Sequence, residues 1–133
     1  MKKFLVSITC IFFLYSCATT NDATQNDTNN VISTVASYEE ALKSYNSKNT
    51  IKYLSSICIL GQYGSVEEYH RVMQRAFAAI QRDGGIKMIS KGNVSIIGNN
   101  AYVESIIETN KAKQTGIVEL RKENGLWLIS KLP

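Results

Sequence analysis

The sequence predicts an α+β domain in which helices come first and cover one face of an antiparallel sheet. Two observations carry this. Between residues 31 and 83 apolar side chains recur at steps of three and four, the period of amphipathic helices. From Ile86 onward the period falls to two, and Gly/Asn pairs punctuate the chain at hairpin positions. A run of helices followed by a run of strands reads as helices layered on a sheet.

The first helix is set by Val31, Val35, Tyr38, Leu42 and Tyr45, spaced four, three, four and three. Glu39, Glu40 and Lys43 fall off that face and read as solvent-facing. Asn46-Ser47-Lys48-Asn49 breaks the pattern, and Thr50 is placed to cap a shorter second helix with Ile51, Leu54 and Cys58 on its apolar side. Gly61 and Gly64 mark a loop around Tyr63. Ser65-Val66-Glu67-Glu68 has the Ser-x-x-Glu capping-box pattern, so a third helix starts there. At about 100° per residue, Val66, Tyr69, Met73, Ala76, Phe77 and Ile80 form its apolar stripe. Gly84-Gly85 ends it, as glycine past a helix C-terminus does.

Strands follow. Ile86 to Ile97 is rich in β-formers, and Gly98-Asn99-Asn100 reads as a turn. In the next strand Ala101, Val103, Ser105 and Ile107 make the better core face; Tyr102, Glu104, Ile106 and Glu108 make the other. Lys111 to Gln114 turns the chain, and Val118 and Leu120 face inward on the third strand. Asn124-Gly125 is the strongest hairpin signal, and the last strand carries Trp127 and Ile129 on one face.

Ahead of this domain the chain opens Met1-Lys2-Lys3 and continues with an apolar run from Phe4 to Ser16. The run is shorter than the roughly 20 residues a membrane-spanning helix needs and fits a secretory signal. Leu14-Tyr15-Ser16-Cys17 resembles the lipobox of bacterial lipoproteins. The resemblance implies a diacylglycerol on the Cys17 thiol, cleavage before Cys17, and acylation of the new amine; Ala18 is compatible with sorting to the outer membrane in a two-membrane host. An ordinary signal peptide with an incidental Cys17 is the alternative. The expected organisation is a lipoprotein signal at 1–16, lipidated Cys17 with a disordered tether to residue 30, and one domain at 31–133. The tether, with no large apolar side chain, would reach on the order of 20 Å.

Fifteen basic and eleven acidic residues become thirteen and eleven once Lys2 and Lys3 leave, a net charge of +2. That argues against a nucleic-acid binder, which carries a basic stripe. Cys58 is the one cysteine left for the domain, so no intramolecular disulfide is expected. Within Ile57-Cys58-Ile59-Leu60 it reads as a small buried hydrophobe, with a reactive thiol or an intermolecular disulfide as the alternative. One histidine, His70, and no cysteine pair leave no expected metal site. No phosphate loop, nucleophile motif or cofactor signature occurs.

Three segments resemble a family of small bacterial lipoproteins with a lumazine-binding-like domain of unknown function, in the nuclear transport factor two-like superfamily. They are VISTVASYEEALKSYNSKNTIKYLS, DGGIKMISKGNVSIIGNNAYVES and IVELRKENGLWLISK, together with the lipobox and tether. The resemblance spans roughly residues 31 to 131 and implies a curved sheet wrapped around three helices, a cone with a possible pocket. Relatives include enzymes, ligand binders and interaction modules, so fold leaves function open.

Three functions follow as expectations. The first is a non-catalytic, envelope-tethered interaction module that pairs with an envelope protein or a second copy through the sheet face carrying Tyr102, Glu104, Ile106 and Glu108. The alternative is small-molecule binding in an apolar cone lined by Tyr38, Tyr45, Tyr69, Phe77 and Trp127, residues that a small core would equally use. Catalysis is the least favoured. It needs an acid or base inside the cone, whereas Glu39, Glu40, Glu67 and Glu68 read as solvent-facing, Asp83 closes a helix and His70 flanks a stripe.

Overall fold

The computed structural model describes residues 4–133, with side chains from residue 24 onward. The elements are α1 (Phe4–Lys43), α2 (Ser47–Thr50), a 3-10 turn (Ile51–Tyr53), α3 (Ser56–Tyr63), α4 (Val66–Arg82), β1 (Ile86–Ile97), β2 (Asn100–Thr109), β3 (Lys113–Glu123) and β4 (Leu126–Lys131). Contacts divide the chain into Met1–Asn30 and Val31–Pro133.

In the first unit, the sequence predicts a disordered tether at residues 18–30, but α1 runs through it. Polar side chains that compete with helix elsewhere bond along it here. The Thr28 hydroxyl donates to the Thr24 carbonyl at 2.9 Å, and the Gln25 amide to Asn29 Oδ1 at 3.4 Å. The Cys17 side chain, and with it the lipid-attachment expectation, lies outside the described side chains. Among the described residues no helix is long and apolar enough to cross a membrane.

In the second unit the strands pair in the order β1-β2-β3-β4, all antiparallel. The hairpin between β3 and β4 is the one the sequence predicts, whereas Lys113 and Gln114, expected in a turn, begin β3, and Gly61, expected in a loop, lies within α3. Asn124 (φ 51°) and Gly125 (φ 81°) both take positive φ, the two-residue hairpin geometry that suits Asn-Gly. The core joins Val31, Val35, Tyr38 and Leu42 of α1 to Tyr69, Met73 and Phe77 of α4, and to Ala101, Val103, Val118, Leu120, Trp127 and Ile129 on the inward sheet face. Polar contacts fix the first helix on the sheet. The Thr34 hydroxyl donates to the Trp127 carbonyl at 3.1 Å, and the Ile86 amide donates to the Tyr45 hydroxyl at 2.8 Å.

The expected second helix is broken in two. Asn46, not Thr50, caps the first piece, its side chain accepting from the Lys48 amide at 3.0 Å. Ser55 caps the second, accepting from the Cys58 amide at 3.2 Å. Between them Leu54 is extended and bridges to Ile129, while the Ser55 amide donates to the Ile129 carbonyl at 2.8 Å. Pairing with the β4 edge thus replaces one helical turn, and covers backbone groups that an open edge leaves unpaired. Thr50 is buried. Its proton goes to the Ser47 carbonyl at 3.1 Å, so it accepts from the Tyr69 hydroxyl at 2.6 Å.

The α4 cap forms by half of the predicted box. Ser65 Oγ accepts from the Glu68 amide at 3.1 Å, while the Glu68 carboxylate pairs with Arg71. Ser65→Ala should lower stability by about 1 kcal/mol, the usual cost of a lost N-cap. Urea denaturation monitored by circular dichroism reads this; an unchanged midpoint would mean the cap is not holding α4.

Candidate functional site

Three inward positions explain where space remains under the sheet. Directly paired residues share a face, and across β1, β2 and β3 one inward row reads Lys91, Ser105, Gly116. Its neighbours are larger: Val94, Val103 and Val118 on one side, Ile89, Ile107 and Gln114 on the other. A hydroxymethyl cannot fill the volume that valine and isoleucine fill beside it, and the room over the bare glycine is taken in part by Pro133. A cavity of about 180 Å³ lies there. One helix face of α1 forms its roof, with Val35, Tyr38, Glu39 and Leu42 spaced as i, i+3, i+4 and i+7. Tyr63 closes it from the end of α3, and Leu132 and Pro133 from the segment after β4.

The closing segment is held by Gln62. Its Oε1 accepts from the Leu132 amide at 2.8 Å, and its Nε2 donates to the Leu132 carbonyl at 3.2 Å. Pro133 then lies over Gly116, where a built Cβ would stand 2.2 Å from the proline Cβ. Glycine at 116 is therefore the seat of the proline ring.

Glu39 is the charged side chain of this lining. It is 8% exposed, which corrects the expectation that it faces solvent. Lys91 makes the burial tolerable: its ammonium donates to Glu39 Oε2 at 3.0 Å. The second oxygen, Oε1, is shut from solvent and has no hydrogen-bond partner among the described residues. Buried polar atoms are nearly always satisfied, so an orphan oxygen beside a cavity marks a place where a donor is missing. Glu39 lies four residues after Val35 and three before Leu42, at the border of the apolar stripe, and Lys91 alternates with Ile89 on the inward face of β1.

The predicted pocket residues separate. Tyr38 lines the cavity. Tyr69, Phe77 and Trp127 are buried in the core, and Tyr45 packs edge-on to Phe77 with centroids 5.9 Å apart. Tyr69 packs edge-on to Tyr63 at 5.0 Å and to His70 at 5.6 Å. His70 is half-buried, its Nδ1 2.7 Å from the Ser47 hydroxyl. Tyr63, Glu39, Ser105 and Gln114 join the lining without having been singled out.

On the opposite sheet face Tyr102, Ile106 and Glu108 are half-buried and Glu104 is exposed. Glu104 has a structural task. Its carboxylate accepts from the Asn93 amide at 3.1 Å, inside the irregularity of β1 between Lys91 and Val94. Across from it on β3, Ile117 is 52% exposed.

Burial sets the acid–base state around the cavity. It pushes the Tyr38 hydroxyl well above its ordinary value, with Tyr69, Tyr63 and Cys58 adding to the rise. Burial also raises the Tyr69 hydroxyl to about 12, against a lowering by its hydrogen bond to Thr50. Cys58 is fully buried, its thiol donating to Gln62 Oε1 at 3.2 Å, and burial raises it to about 11. These groups stay protonated at neutral pH.

No family model and no curated protein matches the chain. Among solved structures, it is similar to a crystal structure from Campylobacter jejuni described as a candidate NTF2-like transpeptidase. The TM-score is 0.55 at 24% identity, over 74% of this chain and 95% of that one. The fold is therefore α+β of the nuclear transport factor two-like kind, helices on a curved antiparallel sheet.

The raised Cys58 value gives stability a pH dependence of known sign. Below pH 9 the thiol is protonated in both states and contributes no slope. Between pH 9 and about 11 the unfolded chain releases this proton and the folded chain keeps it, so stability falls as pH rises. Cys58→Val should flatten that window in denaturation curves taken from pH 8 to 11, leaving only the tyrosine-driven fall above pH 10. An unaltered slope would mean the thiol ionises as freely in the fold as outside it.

Proposed function

We propose that this chain is a non-catalytic binding protein that takes a small molecule into the cone between α1 and the sheet. One observation carries the reading: Glu39 Oε1 is buried beside an apolar cavity with no partner among the described residues. A residue kept purely for packing has no reason to bury a carboxylate, since an apolar side chain of the same size stabilises such a site as well or better. Small-molecule sites have this character, mostly apolar with a few placed polar groups. The structure thus favours the pocket over the sheet face as the leading reading.

The sheet face remains the second reading. Ile117 is exposed, and Tyr102 and Ile106 are half-buried, on the sheet face opposite the core, and such apolar surface favours a partner protein or a second copy. The neighbouring transpeptidase candidate lends no residue to this chain, so acyl transfer is not part of the proposal.

One experiment separates the two readings. The full chain is purified gently from its host and its native mass spectrum recorded, beside that of Ser105→Leu, which fills the inward row. A small-molecule adduct present in the parent and lost in the variant is the expected result. A bare monomer in both would overturn the pocket reading. A dimer or a protein adduct, lost in Ile117→Lys, would move the function to the sheet face.

We further propose lipid anchoring at Cys17 in the cell envelope, on the periplasmic side of the outer membrane if the host has two. Leu14-Tyr15-Ser16-Cys17 supports it. Two or three acyl chains hold a protein firmly where one does not. Intact mass of the membrane-extracted protein should lack residues 1–16 and carry acyl chains, and Cys17→Ala should release the protein from the membrane fraction. A mature mass without acyl chains would contradict this.

A further inference from the structure

We infer that the cone selects an uncharged hydrogen-bond donor, a primary amide or an alcohol, carried on an apolar body. This rests on the pocket reading and names its ligand class.

The charge already inside the site decides against the alternatives. Glu39 is the charged residue of the lining, and its charge is balanced by the Lys91 ammonium 3.0 Å from Oε2. What the pair lacks is one donor at Oε1, not a charge. An ammonium ligand would meet a carboxylate already neutralised, with the like charge of Lys91 beside it, and would give up its own hydration to enter. A carboxylate ligand would meet Glu39 itself. A neutral N–H or O–H satisfies the orphan oxygen and adds no charge to the interior.

Geometry supports the same assignment. Oε1 is closed to water, and Glu39 is one of the residues that line the cavity. The terminal torsion of a glutamate is soft, so a modest turn of the carboxylate presents Oε1 to a donor in the cavity. The rest of the wall is apolar where an alkyl body would lie, against Val35, Leu42, Ile107 and Val118. Gln114 and Ser105 border the same space and supply amide and hydroxyl groups for a carbonyl or a second polar atom.

Four matched probes test this on the full chain: pentanamide, butyl methyl ketone, pentylammonium and pentanoate. The ketone has the shape of the amide without its donor, and its greater apolarity favours it if burial alone drives binding. Saturable shifts of the Ser105, Gly116 and Val118 amide signals in two-dimensional NMR give the Kd. Pentanamide should bind at least about tenfold tighter than the ketone and than either ion, a difference of about 1.4 kcal/mol. Glu39→Met should bring amide and ketone to equal affinity while both still bind. A ketone that binds the parent as tightly as the amide, or an ion that binds best, would overturn the donor assignment and leave the pocket standing. Silence from all four probes would overturn the pocket itself. The parent measurements decide between these results whether or not the variant folds.

Discussion

The folded unit depends on the apolar stripe of α1 lying along the inward face of the sheet. Val31, Val35, Tyr38 and Leu42 supply one side of that contact, and Val103, Val118, Leu120 and Ile129 supply much of the other. Tyr69, Met73 and Phe77 of α4 share this core, but loss of the α1 contact would still open a large part of the inward face to water. Burying each of these side chains is worth about 1.5 to 3 kcal/mol relative to exposing it. The polar ties from Thr34 to Trp127 and from Tyr45 to Ile86 then fix where along the sheet the helix lies.

That placement makes the pocket a consequence of the register. The helix crosses the row Lys91–Ser105–Gly116, where inward side chains shrink to a hydroxymethyl and a hydrogen. Tight packing is the rule in protein interiors, and a gap of this size between well-filled rows marks a departure from it. The same row brings the ammonium of Lys91 to Glu39. A glutamate on the stripe border would otherwise turn to solvent. The ion pair holds it inside, with one oxygen satisfied and one left over. Gln62, Leu132 and Pro133 close the far side, and Gly116 again gives the room they need.

Much of this was legible in the sequence, because local rules and the tertiary fold agree. The stripe of α1, the Tyr69, Met73 and Phe77 positions of the α4 stripe (its Val66 and Ala76 are exposed), the Ser65 cap, the Gly84-Gly85 stop and the Asn124-Gly125 hairpin all follow from short-range spacing. The alternation in β2 gave the inward residues Ala101, Val103 and Ser105 correctly. Three features were not legible, for different reasons. The break at Leu54 comes from pairing with Ile129, a contact 75 residues away that no local period encodes. The burial of Glu39 depends on Lys91, 52 residues distant, and a charged residue at a stripe border has no local reason to turn inward. The cavity was equally hidden. The aromatics could serve a pocket or a core: Tyr69, Phe77 and Trp127 fill the core, Tyr38 lines the cavity, and the opening lies along the small inward row of Ser105 and Gly116.

The most direct measurement is a crystal structure of the full chain at a resolution that defines side chains and bound solvent. The account predicts an open cavity under Ser105 and Gly116. It also predicts the Glu39–Lys91 pair intact, with density for a donor, from a ligand or a water, within hydrogen-bond distance of Glu39 Oε1. A cavity closed by Tyr63 and Leu132, with Glu39 turned out to solvent and Lys91 unpaired, would contradict it.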